Sequence, residues 1–295
     1  MNRVFSFLAI SAIVAVLVMG CGNDDSTKPS TQTLTLHFTG LTNLGPNFRY
    51  EGWIIVDGAP ISTGVFSVND SGILSDTTFE ITQSDLEAAT KFVLTIEPYP
   101  DSNSSPSSTH YLAGDFSNNT ASLTVSDAAV FGDNFSSATG KYILATPTNG
   151  SDSFENSGVW FLDLSSGSPM MGLSLPTLPA GWMYEGWAVI GGTPVTTGKF
   201  TVADMADNAD PYSGTMDGPP FPGEDFLNNA PVGLTFPTDL AGQTAVITIE
   251  PDPDNSTAPF ALKPLIGNIP LTATDHTTYD MTNGSGNFPS GSAMR

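Results

Sequence analysis

Carboxylates are the chemical groups that this chain repeats. Glu51, in Tyr50-Glu51-Gly52-Trp53, returns as Glu185 in Tyr184-Glu185-Gly186-Trp187, and Glu97, just before Pro98, returns as Glu250 before Pro251. Two carboxylates per copy are the minimum equipment of a glycosidase, one as acid and one as base or nucleophile. Tandem copies of one active site are rare in enzymes, however, and these positions have a plainer use. Proline donates no N–H and stops a strand ladder, so the loop after it must find acceptors for its own amides. A carboxylate at the strand end supplies one, and the loops Asp101-Ser102-Asn103-Ser104 and Asp254-Asn255-Ser256 are built of turn-forming residues whose N–H groups can point back at it. The expectation is structural: the four glutamates bond to nearby backbone, and Trp53 and Trp187 anchor the core instead of stacking on sugars. No catalytic residue is expected, and the chain reads as a non-enzyme.

Metal and nucleophile chemistry have few candidates. Asp204, Asp207, Asn208 and Asp210, with Asp252 and Asp254, offer oxygen ligands of the type calcium takes. Their spacing does not follow the alternating ligand positions of an EF-hand, so they read as a solvated acidic loop, with Asp204, Asp207 and Asp210 the calcium candidates. His37, His110 and His276 lie far apart, without the spacing of a zinc motif. Neither a nucleophile elbow nor a phosphate-binding loop is present, and no cofactor is expected. Against 30 acidic residues stand 8 Lys and Arg, and the formal charge of -22 repels phosphate backbones, which excludes nucleic acid as a partner.

The lone cysteine has a different use. Arg3 precedes an apolar run from Val4 to Val18, broken only by Ser6 and Ser11, and Val18-Met19-Gly20-Cys21 closes it. That run is short of the roughly 20 residues that span a bilayer, so residues 1–20 read as a lipoprotein signal peptide. Cys21 then becomes the lipid-bearing mature N-terminus, and the membrane is the first expected partner. Residues 21–33 form an acidic and Ser/Thr-rich tether. Its Asp24 and Asp25 resemble surface-export tethers, which favours the outer membrane or cell surface over the inner membrane. With no second cysteine, the folded part cannot rely on an intramolecular disulfide, and its core must hold it together.

The elements that position these residues are strands. Charged residues make up 13% of the chain, and 29 Gly and 23 Pro interrupt it, which argues against a helical bundle. Thr33 to Phe38 alternates, as do Phe66 to Val68 and Leu123 to Val125, with period two. Denser runs at 53–56, 92–96 and 245–249 read as central strands. Ser84-Asp85-Leu86-Glu87 resembles a capping box and predicts one or two helical turns, with Asp239-Leu240 as its counterpart. The chain also repeats itself over most of its length: Pro60 to Phe66 returns as Pro194 to Phe200 at the spacing of the Tyr-Glu-Gly-Trp motifs. Leu112-Ala113-Gly114-Asp115 and Asn134-Phe135 return as Leu265-Ile266-Gly267-Asn268 and Asn287-Phe288 at the longer spacing of Glu97 and Glu250. The difference lies in an insert around 203–236. The expected architecture is all-β: two tandem β-sandwich-like domains, 34–150 and 151–295, packed together through strands near 141–144 and 159–162. Residues 165–295 are expected to fold alone.

Three motifs in order, Tyr50 to Trp53, Asp57 to Phe66 and Phe92 to Pro98, resemble the extracytoplasmic C-terminal domain of anti-sigma-K factors, and the same order recurs in the second half. In that family an outward β-domain is joined through a membrane helix to a cytoplasmic helical domain that sequesters a sigma factor. The resemblance implies the β-fold and an envelope-sensing or protein-binding role. The sequence shows no second hydrophobic span and no helical segment of that kind, so sigma-factor sequestration is not implied. The alternatives are a carbohydrate-binding or adhesive surface lipoprotein and, after it, a glycoside hydrolase.

Overall fold

The computed structural model describes residues 29–254 and 256–295. The signal peptide, Cys21 and most of the 21–33 tether therefore lie outside the described residues. The first half supplies strands β1 (Thr31–Thr39), β2 (Phe48–Val56), β3 (Ala59–Phe66) and β4 (Thr78–Thr82), helix α1 (Gln83–Ala88), and β5 (Lys91–Pro98), β6 (His110–Ser117) and β7 (Thr120–Leu123). Across the middle run β8 (Thr139–Leu144), β9 (Gly158–Trp160), β10 (Leu162–Asp163), β11 (Met170–Met171) and β12 (Leu173–Ser174). The second half adds β13 (Trp182–Ile190), β14 (Thr193–Phe200), β15 (Gly223–Asp225), β16 (Thr244–Pro251), β17 (Leu262–Asn268), β18 (Tyr279–Asp280), β19 (Thr282–Asn283) and β20 (Ser290–Met294). The fold is all-β, sandwich-like and antiparallel. No helix among the described residues is long and apolar enough to cross a membrane.

The ladder β3-β2-β5-β6 has the same order as β14-β13-β16-β17. Tyr50 pairs with Phe66 and Ile96, and Tyr184 pairs with Phe200 and Ile249. Each tyrosine stacks on its phenylalanine, at 5.5 and 5.6 Å between ring centroids, and donates its hydroxyl eight residues back, to the carbonyls of Thr42 and Pro176. Gly52 and Gly186 sit where a β-carbon would collide with a threonine hydroxyl and an aromatic ring, Phe92 in the first case and Phe161 in the second. The second half has Ala245 where the first has Phe92, and the ring of Phe161, from the stretch joining the halves, fills that space. Gly64 and Gly198 take φ of +124° and +119°, which explains the glycine after each Ser/Thr-Thr pair.

The sheets do not divide at residue 150. β20, from the end of the 151–295 range, lies in the eight-stranded sheet of the first half, between β7 and β1. β8, from the 34–150 range, pairs with β9, β12 and β18. Glycines mark both crossings: a β-carbon on Gly140 would meet Leu265 and Met281, and one on Gly291 would meet Phe38. Phe135 and Phe288 meet edge to face at 5.7 Å beside the exchange. One contiguous core accordingly runs from Leu34 to Ala293. Between the halves, Trp182 packs against Tyr111, Phe131 and Phe260 and donates its Nε1–H to the His110 carbonyl at 3.1 Å.

Two local expectations change. The helix begins one residue before Ser84, with Thr82 as its N-cap and no side-chain cap, because Thr82 closes β4 and the chain turns directly from strand to helix. Asp239-Leu240 is irregular and leads into a turn at Ala241-Gly242 instead of a helix, yet Leu240, like Leu86, is fully buried.

Candidate functional site

The repeated glutamates lie inside the protein. Trp53 Nε1–H donates to Thr95 Oγ1 at 2.9 Å, the Thr95 hydroxyl donates to Glu97, and the Ser107 amide donates to Glu97 Oε1 at 2.8 Å. Trp187 Nε1–H donates to Thr248 Oγ1 at 2.8 Å, and the Phe260 amide donates to Glu250 Oε1 at 2.8 Å. Both tryptophans are buried, so neither offers a face to a sugar. Glu51 and Glu185 accept the hydroxyls of Ser62 and Thr196 across the β2-β3 and β13-β14 ladders. The amides bound to Glu97 and Glu250 come from late in the following loops. The loop tips are satisfied locally, since Asp101 Oδ1 accepts the Asn103 amide and Asp254 Oδ1 accepts the Ser256 amide, each at 2.8 Å.

The two halves differ electrostatically. Lys199, at the position of Val65, reaches Asp254 Oδ2 at 2.9 Å and stands 4.0 Å from Glu185 Oε2. Burial pushes the Glu185 carboxyl above its usual range and the Glu250 carboxyl up to about 7, although the Phe260 amide and Thr248 hydroxyl pull the latter down. Glu51, less enclosed, is also raised by burial.

The insert carries a second group of carboxylates that composition and spacing did not reveal. Glu224 and Asp225 are fully buried on β15, which pairs with β9. Asp225 accepts the Trp160 Nε1–H and Thr148 amide, each at 2.8 Å. Glu224 accepts the Ser213 hydroxyl and the amides of Tyr212 and Asp225. Burial raises Glu224 to about 8 and the neighbouring Asp207 to about 7. Asp207 accepts the Gly223 amide at 2.9 Å, while Asp204 and Asp210 stay exposed, so the three calcium candidates do not converge. Asn208 instead exchanges hydrogen bonds with the backbone of Lys199 and covers the β14 edge. The one sequence cue to the buried pair is its place just before Phe226-Leu227.

Two concavities adjoin these carboxylates. One, of about 450 Å³, lies between the halves and is lined by Phe48, Ile96, Pro251, Asp254, Phe260 and Lys263 among others. The other, of about 360 Å³, lies under the insert beside Asp207, Trp160 and Met216. The histidines stay apart: His37 and His276 are exposed, and His110 bonds through Nδ1 to the Ala129 carbonyl. The chain matches no family model, and no curated protein or solved structure matches it.

Proposed function

We propose that this chain is a lipid-anchored cell-envelope protein that senses or binds another envelope component through two related β-units, without catalysing a reaction and without sequestering a sigma factor. The observation that carries the binding reading is the 450 Å³ concavity, because both halves contribute walls to it and its apolar Phe48, Ile96 and Phe260 are ringed by Asp70, Asp254 and Lys263. The repeated glutamates support the same reading, since each gives at least one carboxylate oxygen to hydrogen bonds within its own unit. The signal, Cys21 and the resemblance to anti-sigma-K extracytoplasmic domains supply the envelope address, with the outer membrane or cell surface as destination.

A glycan partner is the second reading. It is favoured by Tyr99, half exposed with the Arg49 guanidinium 4.3 Å from its ring centre, next to the amide contact with Asn47 at the rim of the concavity. The test places a photo-crosslinking residue at Phe48 or, as control, at exposed Ile73 in intact envelopes. Label carried from position 48 alone to a protein or glycan supports the reading. Equal labelling from both positions, or none, overturns it. Anchoring is tested separately: Cys21→Ser is expected to abolish membrane association that survives a salt wash, because several acyl chains hold firmly where none remains.

A further inference from the structure

The second half brings three carboxylates to one point. Glu185 lies in the middle of β13, Glu250 faces Met183 across the β13-β16 ladder, and Asp254 follows in the next loop. One oxygen from each lies within 4.8 Å of the other two, the one such group among the described residues. Glu185 is 4% exposed and Glu250 0%, and each keeps one oxygen, Oε2 in both cases, with no hydrogen-bond partner. Their other oxygens are engaged by Thr196 and Phe260. A buried anionic oxygen without a donor is costly, and a cation shared by the converging carboxylates would relieve it. The Lys199 ammonium answers only in part. It bonds to Asp254 and remains 4.0 Å from Glu185, and the second nearby cation, Lys263, feels the Glu250 charge but spends its ammonium on the Phe260 carbonyl, so neither orphaned oxygen gains a donor.

We propose that Glu185, Glu250 and Asp254 form a calcium site whose place Lys199 holds in the cation-free protein. The donor set is all oxygen, the set that hard divalent cations take. Oxygens on opposite sides of a calcium ion, each about 2.3–2.6 Å from it, stand about 5 Å apart, so three oxygens that all lie within 4.8 Å of one another can share one ion. Magnesium demands a near-ideal octahedron and keeps several of its waters, which carboxylates buried on two strands and a loop suit less well than the irregular shell of calcium. Asp254 also lines the 450 Å³ concavity, from which water can complete the coordination shell. The Lys199 side chain is 26% exposed and flexible, so its ammonium can swing outward when the ion enters. The first half provides an internal comparison. Val65 replaces Lys199 there, Glu51, Glu97 and Asp101 form no such group, and neither glutamate has an orphaned buried oxygen.

Calorimetric titration of the mature full-length chain with calcium chloride at fixed ionic strength tests this, with thermal melting alongside. The expected result is one saturable site, with an affinity in the range of extracellular calcium modules, roughly 0.1–1 mM. Asp254→Asn and Glu250→Gln are each expected to weaken it at least about tenfold, and Lys199→Met to tighten it by about the same factor, as removal of a competing charge should. Glu97→Gln in the first half should leave it unchanged. If Glu250→Gln does not fold, Asp254→Asn in the loop carries the same arm. A wild-type chain indifferent to calcium up to about 10 mM overturns the proposal, whatever Lys199→Met does. So does a site lost equally in Glu97→Gln, or one untouched by Asp254→Asn. Because no membrane or partner is present, its failure is separate from failure of the binding reading.

Discussion

Glu97 is the last link of a chain that starts at the Trp53 indole N–H and passes through the Thr95 hydroxyl. Removing the Glu97 carboxylate strands the Ser107 amide and the Thr95 hydroxyl in a buried setting. Glu97→Ala is therefore expected to destabilise the protein by about 1–3 kcal/mol, and Glu97→Gln, which keeps one acceptor oxygen, by less. Denaturant titration of the two variants checks both. The insert carboxylates make a pH prediction. Glu224 is raised to about 8 by burial, while its unfolded value is near 4.3. Between those values the folded state holds a proton that the unfolded state has lost. Glu224 thus contributes stability fully present below about pH 4 and lost as pH rises through about 8. The expected slope is a loss of about 1.4 kcal/mol per pH unit from this group inside the window, with Asp207 adding to it up to about pH 7. Glu224→Gln should flatten the dependence of melting temperature on pH between about 5 and 8. An unchanged slope would show that the carboxyl is ionised in the fold.

Whole strands are exchanged between the halves. β20 lies inside the first sheet, so its removal would open the ladders of both β7 and β1, and Ala293 would vacate a fully buried position. A fragment of residues 165–295 would also lack β8 and β9, leaving Leu173 and Leu265 without the close approach of Gly140. Contrary to the expectation from the repeat, that fragment should melt without a cooperative transition, as judged by circular dichroism. Ala293→Asp in the whole chain should have a related effect at smaller scale, since it buries an unpaired charge, at a cost of several kcal/mol. A sharp transition in the fragment would mean that β8 and β20 are dispensable. Strand alternation in β1 was legible because side-chain direction in a strand is a local property of period two. The destination of β8 and β20 was not, because strand pairing is non-local and either sheet accepts an Asn-Phe segment followed by a glycine-bearing strand.

Over the whole molecule, a formal charge of -22 with few cations makes the compact state repel itself. Sodium chloride should raise the melting temperature, with most of the gain reached by ~150 mM, where the Debye length has fallen to about 8 Å. A flat or falling curve would mean that ion pairs such as Lys91 with Asp115 and Asp127 outweigh the repulsion. Calcium at matched ionic strength separates specific binding from screening.

The sequence by itself determined the all-β class, the repeated Tyr-Glu-Gly-Trp and Glu-Pro positions and the burial of Trp53 and Trp187, because these follow from local periodicity, turn chemistry and self-comparison. It also showed that Glu97 and Glu250 would serve the loops behind them, since a proline after a strand leaves donors in need of an acceptor. Only the tertiary structure decided which carboxylates meet. Asp204, Asp207 and Asp210 are close in the chain but diverge, while Glu185, Glu250 and Asp254 come from two neighbouring strands and a loop. Burial of Glu224 and Asp225 was equally invisible, because it depends on a Pro/Gly-rich insert folding back onto Trp160 and Thr148. Convergence of distant charges is set by the register of β13 against β16 and by the packing of loops over them, and neither is a property of any short stretch of sequence.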